Sequence, residues 1–172
     1  SKLRTRDFKL KKHCHGKASV RVLKVRREVD VGRHEISEYT VNTVLWSDAY
    51  EKVFTQEDNS DLVATDTQKN TVYIVAKRTD ASSPEQFAID LCTHYLKEYP
   101  ILSQVSAEVT EGPWRRAVVE GSVHDHGFEH PGSEQYHGLV VMTRGKAEDG
   151  SPTDNHTTVV ESSIKHMVVL KT

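Results

Sequence analysis

The chain has 172 residues, which is enough for one domain with a substantial core. It carries 23 basic and 25 acidic residues, for a net charge of −2, so no bulk field favours nucleic acid or an anionic membrane. No apolar run approaches the length of a membrane span, and the first residues lack the apolar core of a secretory signal. The two cysteines, Cys14 and Cys92, do not form a disulfide framework, which favours a reducing compartment. We therefore expect a soluble intracellular protein without a nucleic-acid or membrane partner.

The N-terminal part of the sequence predicts an arm followed by a hairpin. Residues 1–15 are basic and show no hydrophobic period, so we interpret them as a flexible arm ahead of a single domain over residues 16–172. Residues 17–29 are rich in valine, which is typical of a strand, and Gly32 marks the turn into a partner strand at 34–46. Two long antiparallel strands are expected.

Two helices are predicted to follow. The first covers residues 66–78, and Thr65 and Gln68 have the spacing of a capping box at its start. Such a helix start holds free backbone N–H groups and partial positive charge, so an anion or a polarised carbonyl could bind there. The second helix has Ser83 as its cap, Pro84 at its first position and Gln86 at the third.

The remainder of the chain is predicted to be extended. Apolar and polar residues alternate from 103 to 110, which is typical of a half-buried strand. Further extended segments are predicted at 114–119, 123–128 and 136–143. A solvent loop at 146–156 and a last strand at 157–170 follow. Helices that lie in sequence between antiparallel hairpins should pack together on one face of a single sheet. The predicted fold class is therefore α+β.

Five segments of the chain together resemble one protein family. They are GKASVRVLKV at 16–25, DNSDLVATDTQKNTVYIVAK at 58–77, THYL at 93–96, HDHGF at 124–128 and VVLKT at 168–172. In order and spacing they resemble the N-terminal half of the urate oxidase (uricase) family. The resemblance implies the tunnelling fold (T-fold), whose sheets associate into a barrel in a homotetramer or other oligomer. It also implies that the second T-fold domain of the family is absent from this chain.

The resemblance also implies a reaction and the residues that carry it. Family members oxidise urate with O2 and water to 5-hydroxyisourate and hydrogen peroxide, with O2 as co-substrate and no metal or organic cofactor. The catalytic base and proton relay are then expected at Lys17 and Thr65. Thr65 and the backbone N–H of Asp66 are expected to bind the purine.

An alternative function follows from the HxH pattern at His124 and His126. Two imidazoles on one side of a strand can bind zinc, and His94, His130 or His137 could supply a third ligand. Related T-fold enzymes that act on pterins use zinc in this way. The same HDHGF segment also matches the HxHxF of the urate oxidase family, in which these histidines are structural or lie near the proton relay and no metal is needed.

The C-terminal VVLKT resembles the opening of a longer family signature. The residues that clamp urate are expected in a second half, which would be a separate or missing chain, and the site is expected between subunits of a homo- or hetero-oligomer. A catalytically inactive structural subunit is the remaining hypothesis. Location in the peroxisome is expected for a eukaryotic member of the family and in the cytoplasm for a bacterial one.

Overall fold

A computed structural model describes residues 10–28, 30 and 32–171. The strands are β1 His15–Glu28, β2 Arg33–Trp46, β3 Gln104–Gly112, β4 Arg115–Val119, β5 Ser122–Glu129, β6 Gln135–Lys146 and β7 Pro152–Lys165. The helices are α1 Glu51–Gln56, α2 Thr65–Arg78 and α3 Pro84–Glu98, and a 3-10 turn at Asp48–Tyr50 precedes α1. The arm predicted for residues 1–15 lies mostly outside the described residues. No described helix has both the length and the apolar character that crossing a membrane requires.

Five strands form one antiparallel sheet in the order β1-β2-β3-β6-β7. The predicted hairpin is confirmed, because β1 pairs with β2 from His15 opposite Leu45 to Glu28 opposite Arg33. Helix α2 packs against β1, and α3 packs against β3 and β6. The two long helices therefore cover one face of the sheet, as expected for the α+β class.

The core lies between this face and the two long helices. Alternate residues of β2 and β3 point into it, because side chains along a strand alternate between the two faces. The helices contribute residues at the spacing expected for one helix face, and Tyr39 of β2 stacks against Phe87 of α3 with ring centroids 5.0 Å apart. Members of this cluster that are completely buried include Val41, Leu45, Val72, Phe87, Leu91, Tyr95, Val105 and Val109. Each such side chain stabilises the fold by roughly 1.5–3 kcal/mol through removal of apolar surface from water.

Strands β4 and β5 form a separate hairpin. It lies against the turn between β1 and β2, where Arg116 donates a 2.6 Å hydrogen bond to the carbonyl of His34. The carboxylate of Asp125 accepts a second bond, of 3.1 Å, from Arg33. These polar contacts place the HDHGF segment next to the turn between β1 and β2.

Two boundaries differ from the sequence prediction. The predicted loop at 146–156 is shorter, because β7 begins at Pro152, and the predicted last strand ends at Lys165 and not at residue 170. Proline is tolerated at the first position of a strand, so it marks a start here and not a loop.

The turn at Asp48–Tyr50 and helix α1 were not predicted, since their local signal is short. Ser47 caps this turn by accepting a 3.2 Å bond from the backbone of Ala49.

Candidate active site

Helix α2 begins differently from the sequence prediction. Its N-cap is Ala64, and no side chain among the described residues makes a capping hydrogen bond there. Thr65 is the first residue of the helix and is exposed. The predicted capping box between Thr65 and Gln68 is therefore wrong.

Burial of Gln68 explains the difference. Its side chain is completely buried, and its Nε2 donates a 2.9 Å bond to the carbonyl of Val63. Its Oε1 accepts a 3.1 Å bond from the hydroxyl of Thr43 on β2. A buried amide needs partners for both its donor and its acceptor, and these contacts supply them inside the core. Gln68 consequently joins the helix to the sheet.

The first turn of α2 is therefore open to a ligand. The first N–H groups of any α-helix lack partners within the helix, and no side chain in the described part of the chain caps this helix. The partial positive charge of the helix N-terminus lies at the same place. Asp66 is exposed in this turn, and its carboxylate accepts a 3.2 Å bond from Lys69. A cleft of about 410 Å³ adjoins the turn and includes Ala64, Thr67 and Tyr99 in its lining.

Lys17 lies on β1 directly opposite Thr43 in the strand register. The strands approach closely here, since a Cβ atom at Gly16 would collide with the carbonyl oxygen of Thr43. The register shifts between Lys17 and Val20, where Ser19 has a φ of 58°. Such a bulge re-aims nearby side chains on a strand.

Thr43 connects Lys17 to the start of α2. Its hydroxyl lies 3.5 Å from the carbonyl oxygen of Lys17 and 3.1 Å from Oε1 of Gln68, one helical turn after Thr65. The two sequence-predicted segments therefore lie on either side of one buried threonine. No hydrogen bond or ion pair between the Lys17 side chain and Thr65 or Asp66 occurs in the described part of the chain.

Tyr95 completes this buried contact from helix α3. Its hydroxyl donates a 3.0 Å hydrogen bond to the backbone carbonyl of Gln68. Burial raises the pKa of Tyr95, so the phenol stays neutral and remains a donor. The sequence identified Tyr95 only as a core residue of its helix. The contact between Thr43 and Gln68 was likewise missed by sequence reasoning, because it joins positions far apart in the chain.

The two histidines of the HxH pattern are held by local contacts. Nδ1 of His124 accepts backbone bonds from His126 at 3.0 Å and from Gly127 at 2.8 Å. Nε2 of His126 lies 2.8 Å from the carbonyl of Gly32, and its ring stacks on His34 with centroids 4.3 Å apart. Both imidazoles are therefore held in place by contacts within the hairpin and with the residues beside it.

The three candidate third ligands lie in other contacts. His130 packs edge-on against Trp114, His94 lies beside Tyr95 on α3, and His137 is hydrogen-bonded to Glu108 on β3. In residues 10–28, 30 and 32–171, no group of three His, Cys, Asp or Glu side chains could hold a metal ion. The described geometry gives the zinc alternative no support.

Comparison with known proteins identifies the family. The uricase family model matches residues 13–141. Uricase-2 of Phaseolus vulgaris is 37% identical over 159 residues, which cover 92% of this chain and 47% of the relative. The uricase of Schizosaccharomyces pombe is 35% identical over 162 residues, which cover 94% of this chain and 51% of the relative. The chain thus spans about half the length of the curated relatives it matches.

Solved structures agree with the sequence relatives. The uricase of Arthrobacter globiformis is 25% identical, with a TM-score of 0.69 over 91% of this chain and 60% of that one. The urate oxidase of Bacillus sp. TB-90 has a TM-score of 0.76 over 88% of this chain and 53% of that one, at 22% identity, and so shows the fold alone. These matches confirm the predicted T-fold class. The chain belongs to the uricase family.

Proposed function

We propose that this chain is the N-terminal half of a urate oxidase. The reaction is the oxidation of urate by O2 and water to 5-hydroxyisourate and hydrogen peroxide, with no metal or organic cofactor. Membership of the uricase family supports the reaction class. The observation that carries the proposal is the buried contact of Thr43 and Gln68, which connects the strand of Lys17 to the open start of α2.

Lys17 is the catalytic base in this proposal. Urate is already an anion near neutral pH, so removal of a second proton requires a base close by and electrostatic help for the developing dianion. A lysine can act as a base where its surroundings favour the neutral amine. The Thr65 hydroxyl relays the proton, because a hydroxyl can donate and accept at once.

The helix start binds the purine. The backbone N–H of Asp66 donates to the purine edge, and the hydroxyl of Thr65 makes a second contact. A helix N-terminus stabilises an anionic ligand through its free N–H groups and its dipole. The absence of a side-chain cap at Ala64 leaves these donors available to urate.

A second half completes the site. The chain covers 47% of the bean relative and 51% of the fission-yeast relative, so a further segment of similar length is required for a full uricase. In our proposal that half supplies the residues that clamp urate, and the two halves meet in a homo- or hetero-oligomer. Sheets from neighbouring domains associate into a barrel there, which also pairs their exposed edges. We place the assembly in the peroxisome of a eukaryote or the cytoplasm of a bacterium.

The decisive experiment is purification of the native material, followed by intact-mass measurement of its subunits and a urate assay on the same sample. A second chain of similar size together with consumption of urate is the expected result. Peroxide should form in equal amount to the urate consumed.

Two controls make the outcome clear. Chelator treatment should leave the rate unchanged, whereas loss of activity with stoichiometric zinc in the sample would favour the zinc alternative. A lone 19.4 kDa species that leaves urate untouched would instead indicate an inactive structural subunit.

A further inference from the structure

The face of the sheet opposite the helices carries a row of polar side chains that crosses four strands. Its members are Asn42 on β2, Glu108 on β3, His137 on β6 and Ser163 on β7. Asn42 pairs with Glu108 in the strand register, and His137 pairs with Ser163. Neighbouring residues in the same strands, such as Val41 and Val109, point into the core. This row lies away from α2, and urate oxidation as proposed does not use it.

Three members of the row have the connectivity of a nucleophile, a base and an orienting carboxylate. Nε2 of His137 lies 2.6 Å from Oε1 of Glu108, and its Nδ1 lies 3.2 Å from the hydroxyl oxygen of Ser163. His137 is only 5% exposed, so its ring is fixed between the two partners. A carboxylate only accepts hydrogen bonds, so the 2.6 Å contact places a proton on Nε2. Nδ1 then has a free lone pair, and Ser163 donates to it.

The carboxylate is itself held in place. Nδ2 of Asn42 donates a 2.7 Å bond to Oε2 of Glu108, and Nζ of Lys165 lies 3.6 Å from Oε1. Hydrogen bonds from Asn42 and His137 lower the pKa of Glu108, which keeps the group ionised near neutral pH. An ionised carboxylate stabilises the imidazolium that forms when His137 accepts a proton.

We propose that Ser163 is an activated nucleophile that reacts with activated acyl esters, with His137 as its general base and Glu108 as the residue that orients the imidazole. Ser163 is exposed on the outer strand of the sheet, so a small ester can reach its hydroxyl. This reactivity is independent of urate oxidation.

The reaction balances without any further reagent. The Ser163 oxygen forms a bond to the acyl carbon, and its proton passes to Nδ1 of His137. The bond between the acyl carbon and the ester oxygen breaks, and the leaving group takes that proton or departs as an anion. Water then adds to the acyl-serine and releases the acid. Lys165 lies two residues further along the same strand face, where its ammonium can stabilise the oxyanion.

Ser162 provides a matched control. It is the neighbouring residue and is also exposed, but it pairs with Gly138, and its side chain points to the helix side and bonds to Glu85. Among the described residues, no imidazole is hydrogen-bonded to Ser162. The two serines are therefore adjacent and both exposed, but they lie on opposite faces of the sheet, and Ser163 is the one that contacts His137.

The test is incubation of the 172-residue chain with p-nitrophenyl acetate, with nitrophenolate release followed by absorbance and acetylated residues mapped by peptide mass. We expect acetylation of Ser163 and a rate roughly 100-fold lower in Ser163→Ala and in His137→Gln, the usual contribution of a positioned base. Ser162→Ala should react like the parent chain. Circular dichroism melting of each variant shows whether the fold is kept.

Two results would overturn the proposal. One is acetylation of Ser163 that is no faster than acetylation of Ser162. The other is unchanged nitrophenolate release in Ser163→Ala, which removes only an exposed hydroxyl and so leaves the fold intact. Glu108→Gln gives a further readout, because the pH profile of the reaction should shift only if the carboxylate acts through His137.

Discussion

The two long helices start with the same sequence spacing and have different N-termini. At α3 the hydroxyl of Ser83 accepts a 3.2 Å bond from the backbone of Gln86, which confirms the predicted cap. The Gln86 side chain is exposed, and it bonds to Asp90 one turn later. At α2 the equivalent Thr65 is already inside the helix, and the equivalent Gln68 is buried in the core.

Burial of the third residue decides which kind of start forms. An exposed glutamine leaves a serine free to close the helix, as at α3. A buried glutamine must satisfy its amide inside the core, and at α2 its contacts to Thr43 and Val63 do so. The start of α3 is closed by the protein itself, whereas the start of α2 is open to a ligand. The proposed active site therefore lies at α2 and not at α3.

The variant with the largest expected effect tests whether Lys17 acts together with the open start of α2. Lys17→Met in the complete assembly should lower kcat for urate roughly 100- to 10,000-fold, because a positioned base is lost. KM should change little, since the base acts in the transition state and contributes little to ground-state binding. Steady-state urate decay over a range of concentrations measures both constants.

Lys77→Met is the matched control for that variant. Lys77 is exposed near the other end of α2, so removal of its charge should leave kcat and KM unchanged. If Lys17→Met raises KM and leaves kcat intact, Lys17 binds urate but is not the base.

The sequence was sufficient for the types of the long elements, but not for the short helix α1 or for the contacts at α2. Strands β1 and β2 and both long helices follow from periodicity and turn residues, which are local properties. The cap of α3 is also local, and its prediction is confirmed. The contact of Gln68 with Thr43 joins residues 25 positions apart, so no local spacing could indicate it. Lys17, Thr65 and Asp66 were identified by family resemblance, and their roles stay predictions.

A substitution at Gln68 removes the buried contact between Gln68 and Thr43. Gln68→Leu should reduce the free energy of unfolding by about 1–3 kcal/mol, because the Thr43 hydroxyl and the Val63 carbonyl lose their buried partner. Gln86→Leu at the equivalent position of α3 should cost about 0.5 kcal/mol or less, as is usual near the surface. Urea denaturation of both variants measures the difference. Equal destabilisation of the two would contradict the role of burial at α2.

A smaller effect separates a helix cap from a ligand-binding residue. Ser83→Ala removes the cap of α3 and should reduce the free energy of unfolding by about 1 kcal/mol. Thr65→Ala removes no cap, so its effect on stability should stay within about 0.5 kcal/mol. Urea denaturation measures both. In the assembled enzyme the order should reverse, with Thr65→Ala lowering urate turnover and Ser83→Ala leaving it unchanged. A loss of stability in Thr65→Ala as large as that in Ser83→Ala would instead show that Thr65 caps α2.

The last expected effect depends on pH and concerns Glu111, which lies near the closed start of α3. Glu111 and Glu85, the latter in the first turn of α3, line one cleft of about 440 Å³. Burial, and then the negative charge of Glu85, raise the pKa of Glu111 from 4.5 to about 7. Between these two values the folded chain binds more protons at this group than the unfolded chain does, so stability falls as the pH rises through that window.

Glu111→Gln removes this pH dependence, because the amide does not ionise. The variant should match the parent chain below pH 4.5 and become more stable as the parent's carboxyl ionises, with the gain levelling off above pH 7. We expect that gain to be about 1 kcal/mol, since contact with the cleft lets solvent screen the charge. Urea denaturation at several pH values measures it, and Glu98→Gln at the far end of α3 is the control. A constant difference across the range would mean that Glu111 does not titrate in this window and that the two carboxylates at the start of α3 are not coupled.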